Sequence, residues 1–134
     1  MKWSWLFAAS AAVALSGCGG GDDSPPPSFG TAVADWSIDG FKDPDQCDRG
    51  GVGTFSISIW TWQDQQDQFV GEFLQDCRAF ATSIDLSTGG YYGEAVLLDP
   101  DGFERTTIAP LGSFSIFGGD VVGIPVEFPA NSFF

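Results

Sequence analysis

A chain of 134 residues has room for one domain, and its composition, 43% hydrophobic with thirteen Phe and five Trp, excludes a disordered polymer. Eighteen acidic residues against five basic ones give a net charge of −13, which repels phosphate backbones and excludes nucleic acid as a natural partner. There is no histidine, so the commonest general base and the commonest metal ligand are both missing.

The first seventeen residues have the layout of an export signal. Lys2 gives a positive start, and Trp3 to Leu15 form an apolar stretch shorter than the ~20 residues a spanning helix needs. Small residues follow, then Cys18. The run Leu15-Ser16-Gly17-Cys18 resembles the bacterial lipobox. That resemblance implies a diacylglycerol on the Cys18 thiol, cleavage just before it, and a membrane partner reached through lipid. Two or three acyl chains hold stably where one binds only reversibly, since each buried methylene contributes ~0.8 kcal/mol. Gly19, where Asp would favour retention at the inner membrane, points to the outer membrane of a double-membrane envelope.

Residues 18–30 then read as the lipidated cysteine and a tether. The glycines are flexible, and Pro25-Pro26-Pro27 favours polyproline II. Fully extended, residues 19–30 reach at most about 40 Å.

From residue 31 to 134 the chain breaks into short alternating runs, the period-2 signature of strands. Ala32, Ala34, Trp36 and Ile38 share a face, with Trp36 assigned to the core. Val52 to Trp62 alternates next, Gln68 to Leu74 is weaker, and Arg78 to Leu86 aligns Phe80, Thr82, Ile84 and Leu86. Tyr91 to Leu98 leads into Asp99-Pro100-Asp101-Gly102, a strong turn signal. Phe103 to Ile108, Ser113 to Phe117 and Val121 to Phe128 complete the set. Gly118-Gly119-Asp120 reads as a hairpin joining the last two, and Pro125 marks an edge strand. No helix is expected after the signal. Seven or eight strands in this length predict an all-β fold, an antiparallel β-sandwich of immunoglobulin-like or prealbumin-like topology, with a small closed barrel as the alternative.

With Cys18 acylated, Cys47 and Cys77 are left as an even pair in an oxidising compartment, and a disulfide is expected. It would pin the 39–51 loop to the start of the Arg78 strand. Several motifs also resemble small lipoproteins of myxobacterial type. These are Trp36-Ser37-Ile38-Asp39-Gly40 with Asp43-Pro44 and Cys47, Cys77-Arg78-Ala79-Phe80, Gly90-Tyr91, Leu97 to Gly102, and Pro125 to Pro129. Carboxypeptidase-regulatory-like sandwiches, which are accessory domains, are similar too. These resemblances imply a fold and no activity.

Three kinds of site compete. His-dependent nucleophilic catalysis is excluded by composition, and there is no G-x-S-x-G elbow. Asp64, Asp67 and Glu72 are the carboxylates available for glycoside hydrolysis, but any acidic loop offers such pairs. Asp43, Asp45 and Asp48, or Asp99 and Asp101, offer hard oxygens to Ca²⁺, yet the calcium-loop motif is missing and Asp also serves turns. The chain therefore reads as a non-catalytic, lipid-anchored interaction or structural module of the envelope, with a polysaccharide-binding module as the alternative, and no motif demands a metal or cofactor. Trp60-Thr61-Trp62 puts two indoles on one strand face ahead of Gln63 to Gln68, a surface suited to polysaccharide or an envelope protein. In the plainer reading one indole packs in the core and the other covers a sandwich end. The closing Phe133-Phe134 either tucks under the sandwich or stays exposed.

Overall fold

Alternation shapes the first strand, β1 (Phe29–Ile38), in which Ala32, Ala34, Trp36 and Ile38 are buried and the residues between them only partly so. The computed structural model describes residues 28–63 and 65–134. Cys18, the expected signal and nearly all of the expected tether lie outside the described residues, as does Asp64. The strand starts at Phe29, slightly inside the stretch expected to be tether.

Seven further strands follow: β2 (Thr54–Gln63), β3 (Gln66–Asp76), β4 (Ala81–Ser87), β5 (Gly89–Leu98), β6 (Ala109–Pro110), β7 (Phe114–Ile116) and β8 (Val121–Phe128). They form an all-β sandwich of two sheets. One has the order β4-β1-β8; in the other β3-β2-β5 is completed by β6 and β7, both paired to β5. Every pairing is antiparallel except that of β1 with β8, which runs parallel from Thr31↔Val121 to Ile38↔Phe128. The first and last long strands thus lie side by side and run the same way, which puts the chain's two described ends at opposite ends of the sandwich. Pro125 is on β8, an edge of the three-stranded sheet, where its missing N–H costs no ladder bond.

Trp36 joins the two layers. Its indole is fully buried and stacks on Phe55 of the opposite sheet, centroids 3.8 Å apart and planes within 3°. Phe80 and Phe128 close around the pair, at 6.2 Å from Trp36 and Phe55 respectively. The buried indole N–H donates to the Cys77 carbonyl at 3.1 Å, so the ring's one polar group is paired.

Four local expectations are corrected. Pro44–Gly50 is an α-helix, α1, where no helix was expected. Asp43 caps it through the Asp45 N–H, Pro44 fills the first turn, and Gly51 ends it at φ +68°. Seven residues are too few for a periodic pattern to show. Cys77–Ala79 is a 3-10 turn, so β4 begins at Ala81 rather than at Arg78. Phe103 to Ile108 is not a continuous strand: the Thr106 hydroxyl accepts the Leu97 N–H at 3.2 Å, and a buried side chain does the ladder's work there. Gly118-Gly119-Asp120 is not a hairpin either, because β7 and β8 lie in different sheets and the turn carries the chain across the sandwich.

The disulfide is present. Cys47 on α1 and Cys77 in the 3-10 turn are bonded, Cα atoms 6.1 Å apart, both fully buried. It fastens a helix, not a loop, to the turn ahead of β4. An exposed ion pair between Arg78 and Asp48 lies beside it. Among the described residues no helix is long and apolar enough to cross a membrane.

Candidate functional site

On β2 the inward residues Phe55, Ile57 and Ile59 are buried, so Trp60 is turned to the outer face of the larger sheet. The ladder pairs it with Phe69 on β3 and with Tyr92 on β5. The Trp60 and Tyr92 rings stack at 6.0 Å with planes 13° apart, and Phe69 tilts against Trp60 at 5.4 Å and 59°. The three rings form a row across three neighbouring strands, about 10 Å from end to end at the usual interstrand spacing. Trp60 and Tyr92 are partly buried, whereas Phe69 is 59% exposed and Trp62 is 61% exposed. Neither indole of the Trp-Thr-Trp motif packs in the core, contrary to the plainer reading.

Phe69 owes its place to a β-bulge. Ile59 pairs with Gly71 while Trp60 pairs with Phe69, which leaves Val70 as the extra residue on β3. Uniform alternation from Phe73 through Gly71 would put Phe69 on the core side. The extra residue turns it over, as bulges commonly re-aim a side chain. On β5, Gly93 permits the tight pairing beside Tyr92: a Cβ there would stand 2.4 Å from the Ser58 carbonyl oxygen.

Polar groups flank the row. The Asp67 carboxylate is close enough to act on the Tyr92 hydroxyl: hydrogen bonding to it, then desolvation, then its charge raise the Tyr92 pKa above the ordinary phenol value. Along β2 lies a recess of about 120 Å³ lined by Ser56, Ser58, Glu72, Glu94, Glu104 and Ile108. Ser56, only 1% exposed, donates to Glu72 at 2.8 Å. Trp62 and Tyr92 also border a hollow of about 340 Å³ with Phe114 and Ser115. A larger hollow, about 410 Å³, opens between β6 and β8 and is lined largely by Pro110, Leu111, Pro125, Val126 and Pro129.

The structure brings Trp60 and Trp62 together with Phe69 and Tyr92, the two members that the linear motif does not contain. Tyr92 was open to inference, since it alternates with the buried Tyr91 on a clear strand. Phe69 was not, because a bulge leaves no residue signature here.

Other candidates separate. Asp67 serves Tyr92 and Glu72 serves Ser56, on the same strand, and Asp64 lies outside the described residues. Of the aspartates weighed for Ca²⁺, the side chains of Asp43, Asp48 and Asp99 are engaged locally. Asp43 accepts from the Asp45 N–H at 3.0 Å, and Asp99 accepts from the N–H groups of Asp101 and Phe103, both at 2.9 Å. Among the described residues no group of three or more Cys, Asp or Glu is placed to hold a metal ion. Phe133 packs against the core while Phe134 is 71% exposed, so the two readings of the C-terminal pair divide between them.

No protein-family model matches the chain, and no curated protein matches it. Two solved structures from Bacteroides thetaiotaomicron are similar in shape. One is a leucine-rich repeat protein, with a TM-score of 0.42 and 11% identity over 96% of this chain and 15% of that one. The other is a candidate polysaccharide-binding protein, with a TM-score of 0.42 and 8% identity over 72% of this chain and 46% of that one. The chain thus spans less than half the length of either, and a likeness this loose adds nothing about what it binds.

Proposed function

We propose that this chain is a non-catalytic module of the bacterial envelope, held to the membrane by lipid on Cys18, which binds polysaccharide across the aromatic row on the outer face of its larger sheet. The observation that carries the reading is the solvent-facing set Trp60, Trp62, Phe69 and Tyr92. A sandwich needs apolar residues on its inner faces; cross-strand ring pairs steady an outer face too, but a row of them open to solvent is also a surface that a ligand can cover. Indole and phenol rings present a flat apolar face with a polar edge, which suits the C–H face of a pyranose and its hydroxyl rim. The row is on the scale of a disaccharide. Acceptors at Asp67, Ser58 and Glu72 lie within reach of sugar hydroxyls.

The test is a glycan array followed by titration of the full chain, purified in mild detergent, against the best oligosaccharide. Trp60→Ala and Trp62→Ala should each weaken binding by tenfold or more, roughly the loss of one aromatic contact. Unchanged affinity in both variants would overturn the reading. So would crosslinking in the native membrane that yields a protein partner through this face, with no glycan signal at all.

A further inference from the structure

The aromatic row occupies one end of the outer sheet face; what lies beyond it says which kind of sugar would follow. Ser58 stands two residues from Trp60 on β2, about 7 Å along the strand, and pairs with Glu72 on one side and Glu94 on the other. Glu104, bridged through Leu98 to the same sheet, borders the recess that these residues line. With Asp67 beside Tyr92, every charged group named on this face is an acid.

The cations beyond the expected leader are Lys42, Arg49, Arg78 and Arg105, and they are spent elsewhere. Lys42 pairs with Asp35 of the other sheet, and Arg78 pairs with Asp48 on α1. Arg105 donates to the Gly50 carbonyl at 3.0 Å and, with Arg49, borders a hollow at the helix end of the sandwich. Among the described residues Glu72, Glu94 and Glu104 have no ion-pair partner. Carboxylates only accept, and the one buried hydroxyl in the recess already donates its hydrogen bond to Glu72. A ligand group seated against the three carboxylates must bring the donors. An ammonium group brings three, together with the missing charge, whereas a uronate or sulfate would meet like charge.

We propose that the polysaccharide recognised by this face carries free amino groups, the aromatic row stacking one sugar while Glu72, Glu94 and Glu104 receive the ammonium of the next. This rests on the polysaccharide reading above and adds the class of sugar. It is tested by calorimetric titration of the full chain in mild detergent at pH 6 with three probes: a β-1,4-glucosamine tetramer, cellotetraose and a tetragalacturonate. The glucosamine tetramer should bind about tenfold tighter than cellotetraose at low salt, and the advantage should shrink as salt screens it. The tetragalacturonate should not bind measurably. In Glu94→Gln/Glu104→Gln the glucosamine tetramer and cellotetraose should bind within about twofold of each other. Asp101→Asn/Asp120→Asn, which removes the same charge elsewhere, should keep the preference.

Equal affinity for cellotetraose and the glucosamine tetramer, with both lost in Trp60→Ala, would overturn the amino-sugar inference and leave the polysaccharide reading standing. Equal loss of preference in the two double variants would overturn it too, by tracing the preference to overall charge. If none of the three probes binds and the array is also blank, the polysaccharide reading itself falls.

Discussion

Tyr92 is the residue in which structure and electrostatics at the site meet. Its ring stacks on Trp60, and its hydroxyl is held by Asp67 from the hairpin partner of β2. Ionising the phenol would break that hydrogen bond and place two negative charges together, so the folded-state pKa lies above 10.0. A raised folded pKa means the contact stabilises the fold fully below the unfolded phenol's pKa, and that its contribution is lost as pH rises through the folded value. Asp67→Asn should therefore bring the Tyr92 titration down toward about 10, read from tyrosinate absorbance in a Tyr91→Phe background. An unchanged midpoint would mean that Asp67 does not hold the ring. At this scale much was legible in the sequence. Trp36 is central because it falls on the buried phase of a strict alternation, and Asp99 works as the turn residue that its Pro-Asp-Gly neighbours imply. The tilt of Phe69 toward Trp60 was not legible, because it depends on which partner residue the extra Val70 is slipped against.

At the scale of elements, local patterns were readable and long-range partners were not. Strands announce themselves through the side chains they bury, so β1, β2, β5 and β8 follow the alternation closely. A turn of glycines looks alike whether it closes a hairpin or crosses between sheets, and for Gly118-Gly119-Asp120 the outcome is set by pairing that no local pattern encodes: β8 lies on β1 and β7 on β5. Helix α1 had its signals, an Asp-Pro start and a glycine stop, without the length that makes periodicity visible. This helix cannot be stable alone, since isolated helices below ~12 residues are marginal in water. The Cys47–Cys77 bond ties it to the turn ahead of β4, closing a separation of 30 residues. In the chain-entropy model the bridge is worth about 3–4 kcal/mol. Cys47→Ala/Cys77→Ala should lower the unfolding free energy by about that amount in urea titration, with α1 losing amide protection first. A loss under about 1 kcal/mol would show that the fold holds the helix without the bond.

For the whole molecule, the question is how a lipid on Cys18 would present the aromatic face. Ser28 accepts a hydrogen bond from the Thr88 N–H, and Phe29 pairs with Ser87, so the chain enters the sandwich beside the start of β5. Tyr92 is three residues past that start, and Trp60 lies across from it. In the proposed anchored state the binding row therefore sits at the end of the sandwich nearest the membrane. The stretch between Cys18 and Phe29 then sets how far the row stands from the bilayer, at most about 40 Å. The acidic surface adds to that clearance, because a net charge of −13 is repelled by anionic headgroups. Both consequences depend on acylation, which Cys18→Ser removes by taking away the thiol that would carry the lipid. That variant should accumulate as an uncleaved precursor without incorporated fatty acid, while Cys47 and Cys77 still form their bond and the purified chain still binds sugar. Whole-cell binding should change even though the binding face is untouched. Metabolic labelling with a fatty-acid analogue decides it: normal labelling of Cys18→Ser would sink the anchor, and with it the orientation argued from it.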